Sequence, residues 1–410
     1  MEEVVHRHLN SGIELGVVHL PNRHATAMEF RVLAGLADES ADLLGLARVL
    51  EESITKGTEK RSGQALLDAF DEMGATHGSW VGREAIGFTS ICLPEFFERT
   101  LALNTEFIRT PTFPQDAVDV AIELGRQELK LLEDDAQSLV EKLLGRQSLG
   151  PVLGRHPLGE LEMLNRIQRR DVENFWREHF AAGRMQVTVA GPVDPQRVAD
   201  AIEERFSGLG SSLRAGRGTH PLAFSPRRTH VHKELEQEQI GICFPGVPVG
   251  QPQYPTERVV LGILSGGMSG RLFTEVREKQ GLVYWVGAWH DTPRGASMVC
   301  LGASTTPQRA DKTYHTLLRE VDRLSEDLTQ DELVRAVTGI EARTETRGDI
   351  TRARCGELAD DLFHYGRPVP PAEKLAWVRA VTIDGVKQYL ADHPRIALSV
   401  LTLGPRPLAE

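Results

Sequence analysis

Arg48, Glu51 and Glu52 fall within Leu46-Ala47-Arg48-Val49-Leu50-Glu51-Glu52-Ser53, and spacings of three and four residues put them on one side of a helix. Neighbouring carboxylates can carry a proton or hold a cation, and an arginine at that spacing can neutralise them by pairing. A second group is histidine: His6-x-His8 and His230-x-His232 have the period of strand residues on one face and could bind a transition metal. No Cys or carboxylate pattern beside either pair reads as the rest of a ligand set, so both are set aside. Gly266-Gly267 lacks the G-x-x-x-x-G-K-[ST] spacing of a phosphate loop. No G-x-S-x-G frame is present for a serine nucleophile.

The elements that position these groups belong to a folded globular chain of 410 residues, 40% hydrophobic and 26% charged, long enough for two or more domains. A net charge of -11 disfavours nucleic acid or an anionic membrane as the main partner. The N-terminal Met1-Glu2-Glu3-Val4-Val5-His6 has acids where a secretory leader carries basic residues, and no apolar run is long enough to span a membrane. Cys92, Cys243, Cys300 and Cys355 form no C-x-x-C pair, which fits a reducing compartment and a cytoplasmic location.

The chain resembles itself at a spacing of roughly two hundred residues. Residues 165 to 192 and 379 to 405 share a polar start, an amphipathic helix and a strand, with Asp171 and Asp384 as matching N-cap candidates and Gly191-Pro192 matching Gly404-Pro405. The long helical patterns from Pro114 and from Thr329 form a second pair, each resuming after an acidic or glycine break. Strands are expected at Glu14 to Leu20, Gln186 to Val189 and Met298 to Leu301. The expected class is α+β: two homologous units of antiparallel sheet backed by helices, over 1–210 and 230–410, joined by a linker at 211–229 rich in Gly, Ser, Pro and Arg.

Residues 46 to 58, with residues 34 to 40 before them, resemble the entry to the active-site helix of the pitrilysin family of zinc metallopeptidases, whose frame reads approximately G-L-A-H-F-L-E-H-M-x-x-K-G-T. In that family the two histidines of H-x-x-E-H hold zinc on one helical face and the glutamate serves as general base. Here Arg48 and Glu52 stand at the histidine positions, and Glu51 keeps the general-base position. The resemblance puts the third ligand of the family at Glu128 and an auxiliary acid near Ala121, which has no carboxylate. One zinc ligand of three survives, and a guanidinium at the first position repels a cation. The expectation is therefore no metal and no catalytic residue in this chain, with Arg48 pairing to Glu51 or Glu52 and reaching Glu128 in the metal's place.

Residues 261 to 284 are similar to the C-terminal signature of the family, L-x-x-G-G-M-S-S-R-L-F-x-x-V-R-E-K-x-G-L-x-Y. In active relatives the arginine and tyrosine here numbered Arg277 and Tyr284 contact the substrate backbone or the oxyanion. Alternatively Arg277 bridges locally and Tyr284 opens a core strand. The substrate-pairing strand of relatives, G-x-x-x-N-A-x-T, corresponds to residues 74 to 84, with Gly78 or His77 at the asparagine position.

The resemblance implies a non-catalytic subunit, like the inactive partners of bacterial two-chain peptidases or the glycine-loop subunit of the mitochondrial processing peptidase. It would lend cavity wall and peptide contacts to an active H-x-x-E-H chain that carries the zinc, as a heterodimer or heterotetramer, or form a homodimer. Two alternatives stand beside it: a metallopeptidase with a rebuilt acidic site at Glu51, Glu52 and Glu128, and a self-assembling scaffold or peptide-holding protein.

Overall fold

The computed structural model describes residues 2–209 and 219–409, so the first part of the expected linker, 211–218, lies outside the described residues. The first sheet contains β1 (Glu3–His8), β2 (Glu14–His19), β3 (Thr26–Val32), β4 (Thr76–Val81), β5 (Ile86–Cys92) and β6 (Met185–Gly191), in the order β1-β2-β6-β3-β5-β4. The second contains β7 (Arg227–His232), β8 (Glu238–Pro245), β9 (Val283–Asp291), β10 (Met298–Thr305) and β11 (Ser399–Gly404), in the order β7-β11-β8-β10-β9.

The two orders superimpose, β2-β6-β3-β5-β4 on β7-β11-β8-β10-β9, and in each the pair at the same place is parallel: β2 with β6 and β7 with β11. The expected sheets backed by helices are present, and each is mixed because the strand that closes each half returns beside the one that opened it. β1 is an added edge strand of the first sheet. Arg227 and Arg228, read as linker, instead begin β7, where Arg227 lies opposite Ser399.

The contiguous division at 210–230 is corrected by an exchange of helices. One compact unit comprises Met1–Leu131, Arg155–Thr219 and Arg347–Val369, and the other Leu132–Gly154, His220–Thr346 and Pro370–Glu410. The second unit thus takes the helix Ala136–Leu153 from the first half, and the first takes Thr351–Tyr365 from the second half. Each long helical pattern breaks just before its exchanged part: Asp135 caps one helix by accepting the Gln137 and Ser138 N–H groups at 3.1 and 3.2 Å. Val140, Leu144, Leu149 and Leu153 then join Cys243, Cys300, Leu401 and Leu403 in an apolar layer. Cys355, Leu358 and Leu362 do the same against Val18, Ala27 and Ala190.

Both contacts need a bare strand. A Cβ at Gly16 would meet Leu358 at 2.7 Å, and one at Gly241 would meet Leu144 at 2.8 Å, so glycine lets each helix settle on its sheet. The exchanged helix thus buries apolar side chains against a sheet face in each unit.

The paired capping expectation is corrected in detail. Asp171 is the third residue of helix Arg169–His179 and accepts the Gln168 N–H at 2.9 Å, making Gln168 the cap. Thr382, not Asp384, caps Ile383–Asp392 by accepting from Gly385 N–H at 3.0 Å. In both helices the acid sits in the first turn, where its charge favours the helix dipole.

Candidate functional site: an arginine held by three carboxylates

Helix Leu46–Ser53 begins at Gly45, whose φ of 102° is left-handed and which offers no side chain to cap the first turn. The cap comes from upstream. The Glu39 carboxylate accepts the N–H groups of Gly45 at 3.1 Å and Ala47 at 2.8 Å. Burial pushes the Glu39 carboxyl up to about 7, against the opposing pull of those N–H groups and of Arg155. Arg155 pins the same loop by donating to the carbonyls of Leu36 at 2.8 Å and Glu39 at 2.7 Å. Residues 34 to 40 thus set the height and rotation of the helix.

From that helix Arg48 donates through Nη1 to Glu51 and, at 2.8 Å, to Glu52, and through Nη2 to Glu128 at 3.2 Å. Glu128 comes from the facing helix Gln115–Asp134. Glu51 is 5% exposed, and its other oxygen accepts the Ser79 hydroxyl from β4. Burial works against the Arg48 charge, but Glu51, Glu128 and Glu52 outweigh it and hold the guanidinium more firmly protonated than an ordinary arginine. A cleft of about 840 Å³ opens beside Glu52, and its lining includes Lys56, Gln64, Asp116, Val120 and Leu124.

This donor set does not fit zinc. Zinc prefers imidazole or thiolate with at most a supplement of carboxylate, and the group that gathers these three acids is a fixed cation making a hydrogen bond to each. The arrangement neutralises carboxylates and links the Leu46–Ser53 helix to β4 and to the Gln115–Asp134 helix. Ala121, the auxiliary position, is buried.

Ser79 is the residue that the sequence reading missed on the pairing strand. Side chains alternate along β4, so Gly78 faces away from Ser79, while His77 packs its ring on Phe70 at 4.7 Å, with burial lowering its pKa. No local pattern marks Ser79, because its role depends on which helix crosses that face. β4 is the last strand in its sheet, with one edge unpaired in the sheet order.

Arg277 and Tyr284 lie in the other unit and meet each other. Arg277, on helix Leu272–Lys279, stacks over the rings of Phe273 and Tyr284 with centroids at 4.9 and 5.4 Å. Tyr284 stands at the start of β9, itself an outermost strand, and is 74% exposed, so it opens the strand without entering the core. The arginine that braces this segment is Arg271, which bonds Asp327 at 2.7 Å and Glu332 at 2.6 Å. Burial opposes the Glu332 charge, but Arg271 and the Thr329 donors overcome it and draw the carboxyl down to about 2.

The histidine pairs have different surroundings. His230 lies 2.9 Å from the Thr402 hydroxyl and His232 lies 3.0 Å from Glu234, whereas His6 and His8 both lie near Glu14. The four cysteines are buried and none forms a disulfide. Among the described residues no helix is long and apolar enough to cross a membrane.

Residues 17–152 match the family model described as Insulinase (Peptidase family M16), and residues 166–340 match Peptidase M16 inactive domain. An uncharacterized zinc protease of Rickettsia felis is 24% identical over 383 residues, spanning 92% of each chain. The fold is shared with a protease from Helicobacter pylori, at a TM-score of 0.92 and 14% identity over 99% of this chain and 100% of that one. It is shared too with a peptidase M16 inactive domain from Pseudomonas fluorescens, at 0.87 and 18% over 100% and 99%. Two family-model matches in tandem, which together cover most of a chain with the duplicated sheets described above, place it in the M16 peptidase family, the pitrilysin group of zinc metalloproteases.

Proposed function

We propose that this chain is a catalytically inactive member of that family, which binds no zinc at Arg48, Glu52 and Glu128 and works as the auxiliary subunit of an active H-x-x-E-H peptidase. The observation that carries the proposal is the Arg48 guanidinium bonded to Glu51, Glu52 and Glu128, because it fills with a protein cation the place a metal would need. Glu51 then has no metal-bound water to activate, and both of its oxygens are engaged by Arg48 and Ser79.

The residues that remain suited to work are those that touch peptide. Tyr284 is exposed with the half-buried Arg277 stacked on it, which offers two donors, and the unpaired edge of β4 can accept an extended chain by strand addition. In this reading the active partner supplies zinc and the general base, while this chain supplies cavity wall and backbone contacts in a heterodimer or heterotetramer. Four buried cysteines without a disulfide support a reducing, cytoplasmic setting.

The test is cleavage of unstructured peptides by the purified chain, alone and mixed with an H-x-x-E-H relative of the same organism, with zinc quantified in each sample. Inactivity alone with zinc-dependent activity on mixing is the expected result. Chelator-sensitive cleavage by the chain alone would overturn the proposal in favour of an acidic metal site. Self-association with no stimulation of any relative would replace it with a scaffold role.

A further inference from the structure

The His6-x-His8 pair lacks a third ligand in the sequence around it, and the first sheet supplies one. In the β1–β2 register His8 lies opposite Glu14 and His6 opposite Gly16, so both imidazoles rise from the face that carries the Glu14 carboxylate. His6 Nε2 is 3.0 Å from Glu14 Oε1, and the candidate ligand atoms of His6, His8 and Glu14 all lie within 4.8 Å of one another. The two rings meet edge to face with centroids 5.2 Å apart.

The surroundings are those of a one-sided cup. The Glu14 side chain is only 9% exposed, and its second oxygen accepts the Gln186 amide at 3.0 Å, which orients the carboxylate. His8 is exposed and His6 partly so, leaving the open side to solvent.

We propose that His6, His8 and Glu14 bind one divalent transition-metal ion of the zinc class, at a site separate from the Arg48 cluster. Two imidazole nitrogens and one carboxylate oxygen are a borderline ligand set that suits zinc or cobalt and does not suit calcium or magnesium, which need six or more oxygens or retained water. Ligands of a tetrahedral ion with bonds of about 2.0 Å stand roughly 3.3 Å apart, and the candidate atoms, all within 4.8 Å of one another, need only a small side-chain adjustment to reach that spacing. The remaining coordination position faces solvent and takes water. Because β1 is the outermost strand of its sheet, the ion acts as a clasp across the β1–β2 hairpin.

The experiment is equilibrium dialysis of the untagged full-length protein, stripped with chelator, against Zn²⁺ and separately Co²⁺, Ca²⁺ and Mg²⁺, with bound metal measured by mass spectrometry. The expected result is about one Zn²⁺ or Co²⁺ per chain, no Ca²⁺ or Mg²⁺, and affinity at least tenfold weaker in His8→Ala. His8 is exposed, so that variant leaves the fold intact. Glu128→Gln retains the ion. Absence of Zn²⁺ binding at 100 micromolar would overturn the proposal, as would binding unchanged in His8→Ala or lost in Glu128→Gln. Since the readout is metal content, it stands whether or not the chain proves to be an auxiliary subunit.

Discussion

Replacing Arg48 with methionine keeps the apolar stem and removes the charge that gathers Glu51, Glu52 and Glu128. Glu51 is 5% exposed and would keep only the Ser79 hydroxyl, while Glu52 and Glu128, with side chains 26% and 39% exposed, could turn to water. Breaking a fully buried pair costs about 3–5 kcal/mol, and an exposed one about 0.2–1 kcal/mol. With one acid buried and two partly solvated, the expected destabilisation is about 2–3 kcal/mol at neutral pH. Urea unfolding of the wild type, Arg48→Met and Arg48→Met with Glu51→Gln measures it. The double variant should recover about 1 kcal/mol or more relative to Arg48→Met, since the buried charge is then gone. A loss below about 0.5 kcal/mol at neutral pH, or no recovery in the double variant, would refute the bridging role and leave a solvated charged face.

Glu39 provides a pH signature in the same unit. Its carboxyl is raised by burial to about 7, so its stabilising contribution is whole below the unfolded value of about 4.3 and is lost as the pH rises through 7. Glu39→Gln keeps an acceptor for Gly45 and Ala47 and should flatten the stability profile across that range by up to about 3 kcal/mol; unfolding midpoints at several pH values would show an unchanged slope if the reasoning fails. Tyr284→Ala should shift stability by less than about 0.5 kcal/mol, given 74% exposure, while lowering the kcat/KM of the mixed assembly without altering its size on gel filtration. An unaltered kcat/KM would remove Tyr284 from the peptide-contacting residues.

Periodicity and spacing carried much of this molecule. The alternation of Glu14 to Leu20 and Gln186 to Val189, the broken helical patterns from Pro114 and Thr329, and the tandem duplication are all local or repeated features, and the corresponding strands and helices formed where they were expected. The replacement of both histidines in the H-x-x-E-H frame by Arg48 and Glu52 is likewise visible without coordinates, because residue identity is read directly and a guanidinium cannot ligate zinc.

Tertiary structure decided the rest. Periodicity states which side chains share a face but not which sheet receives that face, so the exchange of Ala136–Leu153 and Thr351–Tyr365 between units could be seen only once Gly241 and Gly16 were found beneath them. The same holds for polar partners. Ser79 reaches Glu51 from 28 residues away, Glu39 caps a helix it does not belong to, and Glu14 meets His6 and His8 only through the register of a hairpin. A hydrogen bond reaches about 3 Å, and only the folded chain brings such distant positions that close.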